Sequence, residues 1–175
     1  MHKKYFKKYY FIEKFEKSNI DKLKKYTGII YRNYKRNYKV SEIILLRDYC
    51  RRKGIKFFLS NNIKLSVNLD LDGAYIPSFN QSLRHLAYKT KSSFVIMGSA
   101  HNIREIRQKE AQKVKFIFIS SIFKKNKNYL GLYKFIKLAK STKTDVVALG
   151  GISVKNIKKL SLTTAYGFAG IDYFS

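Results

Sequence analysis

The sequence predicts an α/β protein, a short TIM (β/α)8 barrel formed by residues 1–175 as one domain. Three observations carry that expectation. Eight short apolar runs recur along the chain, helix-like segments alternate with them, and 175 residues suit one domain. An open doubly wound sheet would need fewer strands. The chain falls below the ~200 residues usual for a barrel, so the last helix is expected to be missing.

The elements follow in order. Residues 9–12 are the first strand, 20–26 a short helix and 27–33 the second strand. Residues 40–52 form an amphipathic helix with Ile43, Ile44, Leu46 and Cys50 at helical spacing, stopped by Gly54. Residues 55–60 are the third strand, 63–68 a brief helix, and 73–76 a fourth strand closed by Pro77. The pattern continues with a helix at 81–90, a strand at 93–99 and a helix at 102–113. A sixth strand at 116–119 leads into a flexible basic loop at 124–128 and a helix at 132–140. Strand seven is 146–149, a helix capped by Ser153 occupies 154–160, and strand eight is 165–171.

Composition narrows the function classes. An apolar fraction of 45% fits a folded core, and no run reaches the ~20 apolar residues of a membrane helix. Cys50 is the one cysteine, which excludes a disulfide framework and a cysteine metal site. With no signal-peptide core at the start, a cytoplasmic location without membrane contact is expected. The chain has 37 basic against 11 acidic residues, a formal charge of +26. Such an excess suits nucleic acid. However, the lysines are spread evenly and accompany Tyr, Phe, Ile and Asn, as A/T-rich codons would produce. Nucleic acid is therefore not the expected partner.

In a barrel the chemistry lies on the loops after the strands. Gly150-Gly151 ends strand seven and lets backbone amides approach a ligand, so it reads as a phosphate grip or as a bare tight turn. His101 follows strand five and is either a proton carrier or a surface histidine. The 124–128 lysines would hold a phosphate as point charges or be solvated. Asn61 and Asn62 after strand three suit a heterocycle or a helix cap. Carboxylates are scarce at these positions, Asp172 being the clearest. These arguments end at a phosphate-binding barrel.

Four stretches together resemble the thiamine phosphate synthase family, which also contains the thiazole tautomerases. They are Phe57-Phe58-Leu59-Ser60-Asn61-Asn62, Asp72-Gly73-Ala74-Tyr75-Ile76, Gly98-Ser99-Ala100-His101, and Val146-Val147-Ala148-Leu149-Gly150-Gly151-Ile152 with Asn156. The resemblance implies the coupling of an aminopyrimidine pyrophosphate to thiazole phosphate, with Mg2+ bridging the departing pyrophosphate. It implies Lys35 and Asn61 on the pyrimidine and Ser99 on its pyrophosphate. Lys125, Asn126, Lys127, Asn128, Gly150, Gly151, Ile171 and Asp172 would surround the thiazole phosphate. The family's Mg2+-binding aspartates fall on Asn62 and Asn80, and amides are poor ligands for that cation. Only Lys35 of the family's Gln-x-Arg-x-Lys is in register, in Tyr31-Arg32-Asn33-Tyr34-Lys35. Three readings follow: a synthase, a thiazole tautomerase that uses His101 without metal, or a non-catalytic basic barrel for phosphates or nucleic acid. Small phosphorylated ligands are the expected partners, and a homo-oligomer is compatible with all three.

Overall fold

The computed structural model describes residues 7–24, 26–34, 39–171 and 173–174. Within them, eight parallel strands close into a barrel in sequence order. The strands are β1 (Lys7–Ile12), β2 (Thr27–Tyr31), β3 (Phe57–Ser60), β4 (Gly73–Ile76), β5 (Val95–Ala100), β6 (Phe116–Ser120), β7 (Asp145–Leu149) and β8 (Gly167–Gly170). Closure is made by β8 on β1, with Lys7 opposite Gly167 and Tyr10 opposite Gly170. The helices are α1 (Lys17–Asp21), α2 (Val40–Lys53), α3 (Ile63–Asn68), α4 (Ile103–Ala111) and α5 (Gly131–Lys140).

The strands read as unbroken apolar runs because both of their faces are buried. Side chains alternate between the faces with period two. Tyr9, Phe11, Phe58, Tyr75, Phe116 and Phe118 fill the barrel interior. Their neighbours Tyr10, Ile12, Phe57 and Leu59 face outward on one side, and Ile117, Ile119, Val146 and Ala148 do so on another, under the helices. Near the upper end, the rings of Phe11, Tyr75 and Phe118 meet edge to face, with centroids 5.3 to 6.2 Å apart. This aromatic plug is the floor on which the mouth of the barrel rests.

Three sequence expectations need correction. The helix expected over 81–90 shrinks to one 3-10 turn, Arg84–Ala87. Asn80 Oδ1 accepts the Ser82 N–H at 2.9 Å and Ser82 Oγ accepts the Arg84 N–H at 3.3 Å. Such local side-chain bonds compete with a helix. The first helix lies earlier than 20–26, at α1. The helix expected over 154–160 is instead a turn followed by a 3-10 segment, Ile157–Leu162. Ser153 does not cap it. The Ser153 N–H donates to Asn156 Oδ1 at 3.0 Å. Gly54, by contrast, ends α2 in the left-handed conformation at φ 65°, as a terminating glycine should.

Candidate functional site

At the C-terminal mouth, the ends of β6 and β7 and the loop after β6 enclose a pocket of about 210 Å³. Gly150 and Gly151 present only backbone to it, at φ 104° and 70°. A side chain at either would collide with that loop. A Cβ on Gly150 would lie 2.4 Å from Ser121 Oγ, and one on Gly151 would lie 2.6 Å from the Lys124 nitrogen. The Gly150 carbonyl accepts the N–H groups of Phe123 and Lys124 at 2.9 and 3.2 Å. From the other side, Asn156 Nδ2 donates to the Gly151 carbonyl at 2.7 Å. The glycine turn is thus held at both ends.

The basic loop at 124–128 is tied down along its backbone. The Ser121 N–H donates to the Asn128 carbonyl at 2.9 Å, and Asn126 Oδ1 accepts the Asn128 N–H at 2.9 Å. This fixes which side chains face the pocket: Lys124, Asn126 and Asn128 line it, while Lys125 and Lys127 are exposed outside its wall.

His101 lines the same pocket. Its Nδ1 meets Glu105 Oε2 at 2.8 Å, and that same oxygen accepts the His101 N–H at 2.8 Å. Glu105 is in turn fixed by Asn102 at the start of α4. Asn102 Oδ1 accepts the Glu105 N–H at 2.9 Å, and Asn102 Nδ2 donates to Glu105 Oε1 at 3.0 Å. The carboxylate orients the ring as in other carboxylate–histidine pairs and leaves Nε2 for a ligand. A histidine held this way can take up and return a proton of a bound ligand.

Asn61, expected on the pyrimidine, and Asn62 and Asn80, expected at the metal, lie apart, around a second cavity of about 180 Å³. Asn61, at φ 62°, accepts a hydrogen bond from Asn80 Nδ2 at 2.7 Å. Asn62 Oδ1 caps α3 by accepting the Leu65 N–H at 3.0 Å. Mg2+ takes carboxylate oxygens, and these neutral amides are already committed to their neighbours. Among the described residues, no group of three or more His, Cys, Asp or Glu side chains could hold a metal. The residue set does not fit Mg2+.

Ser99 is 6% exposed, lies inside the barrel near Tyr75 and does not line this pocket. Burial raises the Tyr75 phenol well above its ordinary value, so it stays protonated. Ile171 reaches the pocket wall, while Lys35 and Asp172 lie outside the described residues. Lys124, read with the 124–128 loop as a possible phosphate contact, does line the pocket, whereas sequence reasoning missed Arg32, Ser120 and Ser121, which line it too. Arg32 lies 4.7 Å above the Phe11 ring, which places a permanent cation on the pocket wall. Its signal was present in the sequence, as the first charged residue after β2.

The profile of the thiamine monophosphate synthase family matches residues 21–174. The chain is 28% identical over 122 residues to the putative thiamine-phosphate synthase 2 of Aquifex aeolicus, covering 66% of this chain and 64% of that one. It is 25% identical over 145 residues to the thiamine-phosphate synthase of Fusobacterium nucleatum, covering 79% and 68%. The chain thus spans about two thirds of the length of these curated relatives. Its backbone is similar to that of the thiamine phosphate pyrophosphorylase of Pyrococcus furiosus, with a TM-score of 0.78 at 21% identity, covering 97% and 90% of the two chains. No described helix is long and apolar enough to cross a membrane. With its profile match spanning most of its length, the chain belongs to the thiamine monophosphate synthase family.

Proposed function

We propose that the mouth pocket binds thiazole phosphate and that His101 moves a proton on the thiazole ring, a metal-free tautomerisation within thiamine biosynthesis. One observation carries this reading. A histidine oriented by a carboxylate and a bare glycine turn share one pocket, while of the amides at the Mg2+ positions Asn80 is occupied with Asn61 and Asn62 with the start of α3. The glycine turn, Lys124 and Arg32 supply backbone and positive charge for the phosphate. The imidazole Nε2 accepts a proton from one position of the ring and returns it to another. No net proton is consumed.

The test is proton NMR of the thiazole phosphate tautomer mixed with the protein. Isomerisation is expected without added metal, and His101→Ala should slow it by about 10²- to 10⁴-fold. No isomerisation by the wild type would refute the reading.

Family membership supports a second reading, coupling to the aminopyrimidine pyrophosphate. That reaction calls for charge neutralisation at the departing pyrophosphate, where this chain has Asn62 and Asn80. A coupling assay with and without Mg2+ separates the two: thiamine phosphate formed at a useful rate would favour the synthase.

A further inference from the structure

A cavity larger than the mouth pocket lies at the opposite end of the barrel. It occupies about 410 Å³ at the N-terminal ends of β1 to β6, against about 210 Å³ at the mouth. Its walls are the rings of Tyr9, Phe58 and Phe116, with Val95 beside them. Lys7, Lys8, Lys56 and Lys115 stand around it, and Asp72 is the sole carboxylate among the described lining residues. That carboxylate is already used: Asp72 accepts Lys56 Nζ at 2.8 Å and the Phe57 N–H at 3.0 Å.

The Lys8 ammonium turns away to Tyr173 Oη at 3.3 Å, while the other three repel one another. The one carboxylate, already paired with Lys56, leaves Lys7 and Lys115 without an acidic partner among the described lining residues. Two of them compensate by sitting over an aromatic face. Lys7 Nζ and Lys115 Nζ lie 5.6 and 5.8 Å from the centroid of Phe116. On the rim, the Tyr26 ring is 91% exposed, a large apolar surface left in water. Lysines that can bind an anion, combined with ring faces that can stack, are what a planar anion needs. The cavity volume lies in the range of small-molecule sites.

We propose that the N-terminal end of the barrel is a second ligand site, which takes a planar aromatic phosphate of mononucleotide size. The aromatic part lies between Tyr26 and the interior rings, and the phosphate replaces the missing counter-charge among Lys7, Lys56 and Lys115. This site is separate from the mouth pocket and does not depend on the thiazole reading.

Calorimetric titration of the full chain with AMP tests it, with adenosine and inorganic phosphate as partial ligands. AMP is expected to bind at least tenfold more tightly than either part. Lys115→Glu and Tyr26→Ala should each weaken AMP at least fivefold in a protein whose circular dichroism is unchanged. Lys124→Glu, at the mouth, should leave AMP binding unaltered. No heat from AMP at millimolar concentration, equal affinity for inorganic phosphate, or loss of binding only in Lys124→Glu would overturn the proposal. An eight-residue oligothymidylate distinguishes the source of the ligand. Affinity no tighter than that of AMP supports a mononucleotide site. Affinity a hundredfold tighter that collapses with salt would overturn it in favour of a nucleic-acid surface.

Discussion

Lys109 Nζ donates to the carbonyl of Asn80 at 2.9 Å, from a side chain with no exposed surface. The same ammonium reaches the Pro77 carbonyl at 2.9 Å and Gln112 Oε1 at 2.8 Å. Gln112 Nε2 adds bonds to the carbonyls of Asn80 and Ser82, at 3.0 and 2.9 Å. One turn of α4 thereby staples the loop that follows β4, where the family would place a metal-binding aspartate. A buried cation inside the chain holds that loop in place, and all three of its donors have acceptors.

Lys109→Met keeps most of the apolar volume but leaves the Pro77 carbonyl buried without its donor. A loss of about 1–3 kcal/mol in urea unfolding is expected. Burial also pushes the Lys109 amine down to about 8 from 10.5. Between those values the unfolded chain holds the proton and the folded chain does not. The contribution of this group to stability therefore rises as pH goes from 8 to 10.5. The unfolding free energy of the wild type relative to Lys109→Met should grow across that window. A flat difference would show that Lys109 does not titrate there.

Returning the aspartates tests the metal argument. Asn62→Asp keeps the α3 cap, since aspartate accepts the Leu65 N–H equally well. Asn80→Asp loses the bond to Asn61 Oδ1 and sets an oxygen against an oxygen. Wild-type thermal unfolding is expected to ignore millimolar Mg2+. The double variant should be less stable without the ion and regain several degrees with it. A Mg2+-dependent rise in the wild type would contradict the assignment of these amides to structure.

The barrel was legible because strands buried on both faces carry a strong apolar signal, and eight of them in alternation leave few architectures. Gly150-Gly151 and His101 were legible for the same reason, as each sits one or two residues past a clear strand end. Other features depended on contacts that spacing does not encode. Which lysines of the 124–128 loop face inward follows from the Ser121–Asn128 bond, and Asn156 reaches back to Gly151 across a turn that reads as a helix. Ser99 is the last residue of the strand read over 93–99, and the pleat points it into the barrel.

The pair His101 and Glu105 separates orientation from stability. Glu105→Gln removes the carboxylate from Nδ1 yet keeps an oxygen that can accept the His101 N–H. About a tenfold to hundredfold loss in the turnover of thiazole phosphate is expected, with little change in KM. Asn102→Ala instead removes the cap of α4, and should cost about 1 kcal/mol in unfolding with a smaller effect on turnover. Equal losses of turnover in the two variants would assign Glu105 to helix capping alone.

Gly150→Ala probes the phosphate grip itself. At φ 104° an alanine is strained on backbone grounds alone, by about 1–3 kcal/mol. Its methyl would also lie 2.4 Å from Ser121 Oγ and 2.9 Å from Ser121 Cα, and a backbone atom cannot rotate away. The loop after β6 would have to move, breaking the bonds from Phe123 and Lys124 to the Gly150 carbonyl. Because Lys124 is carried on that loop, the pocket loses backbone and charge together. Calorimetry should show thiazole phosphate binding weakened at least tenfold. AMP binding at the far end of the barrel should survive in any fraction that stays folded. Retained thiazole phosphate affinity in Gly150→Ala would place the phosphate elsewhere in the mouth.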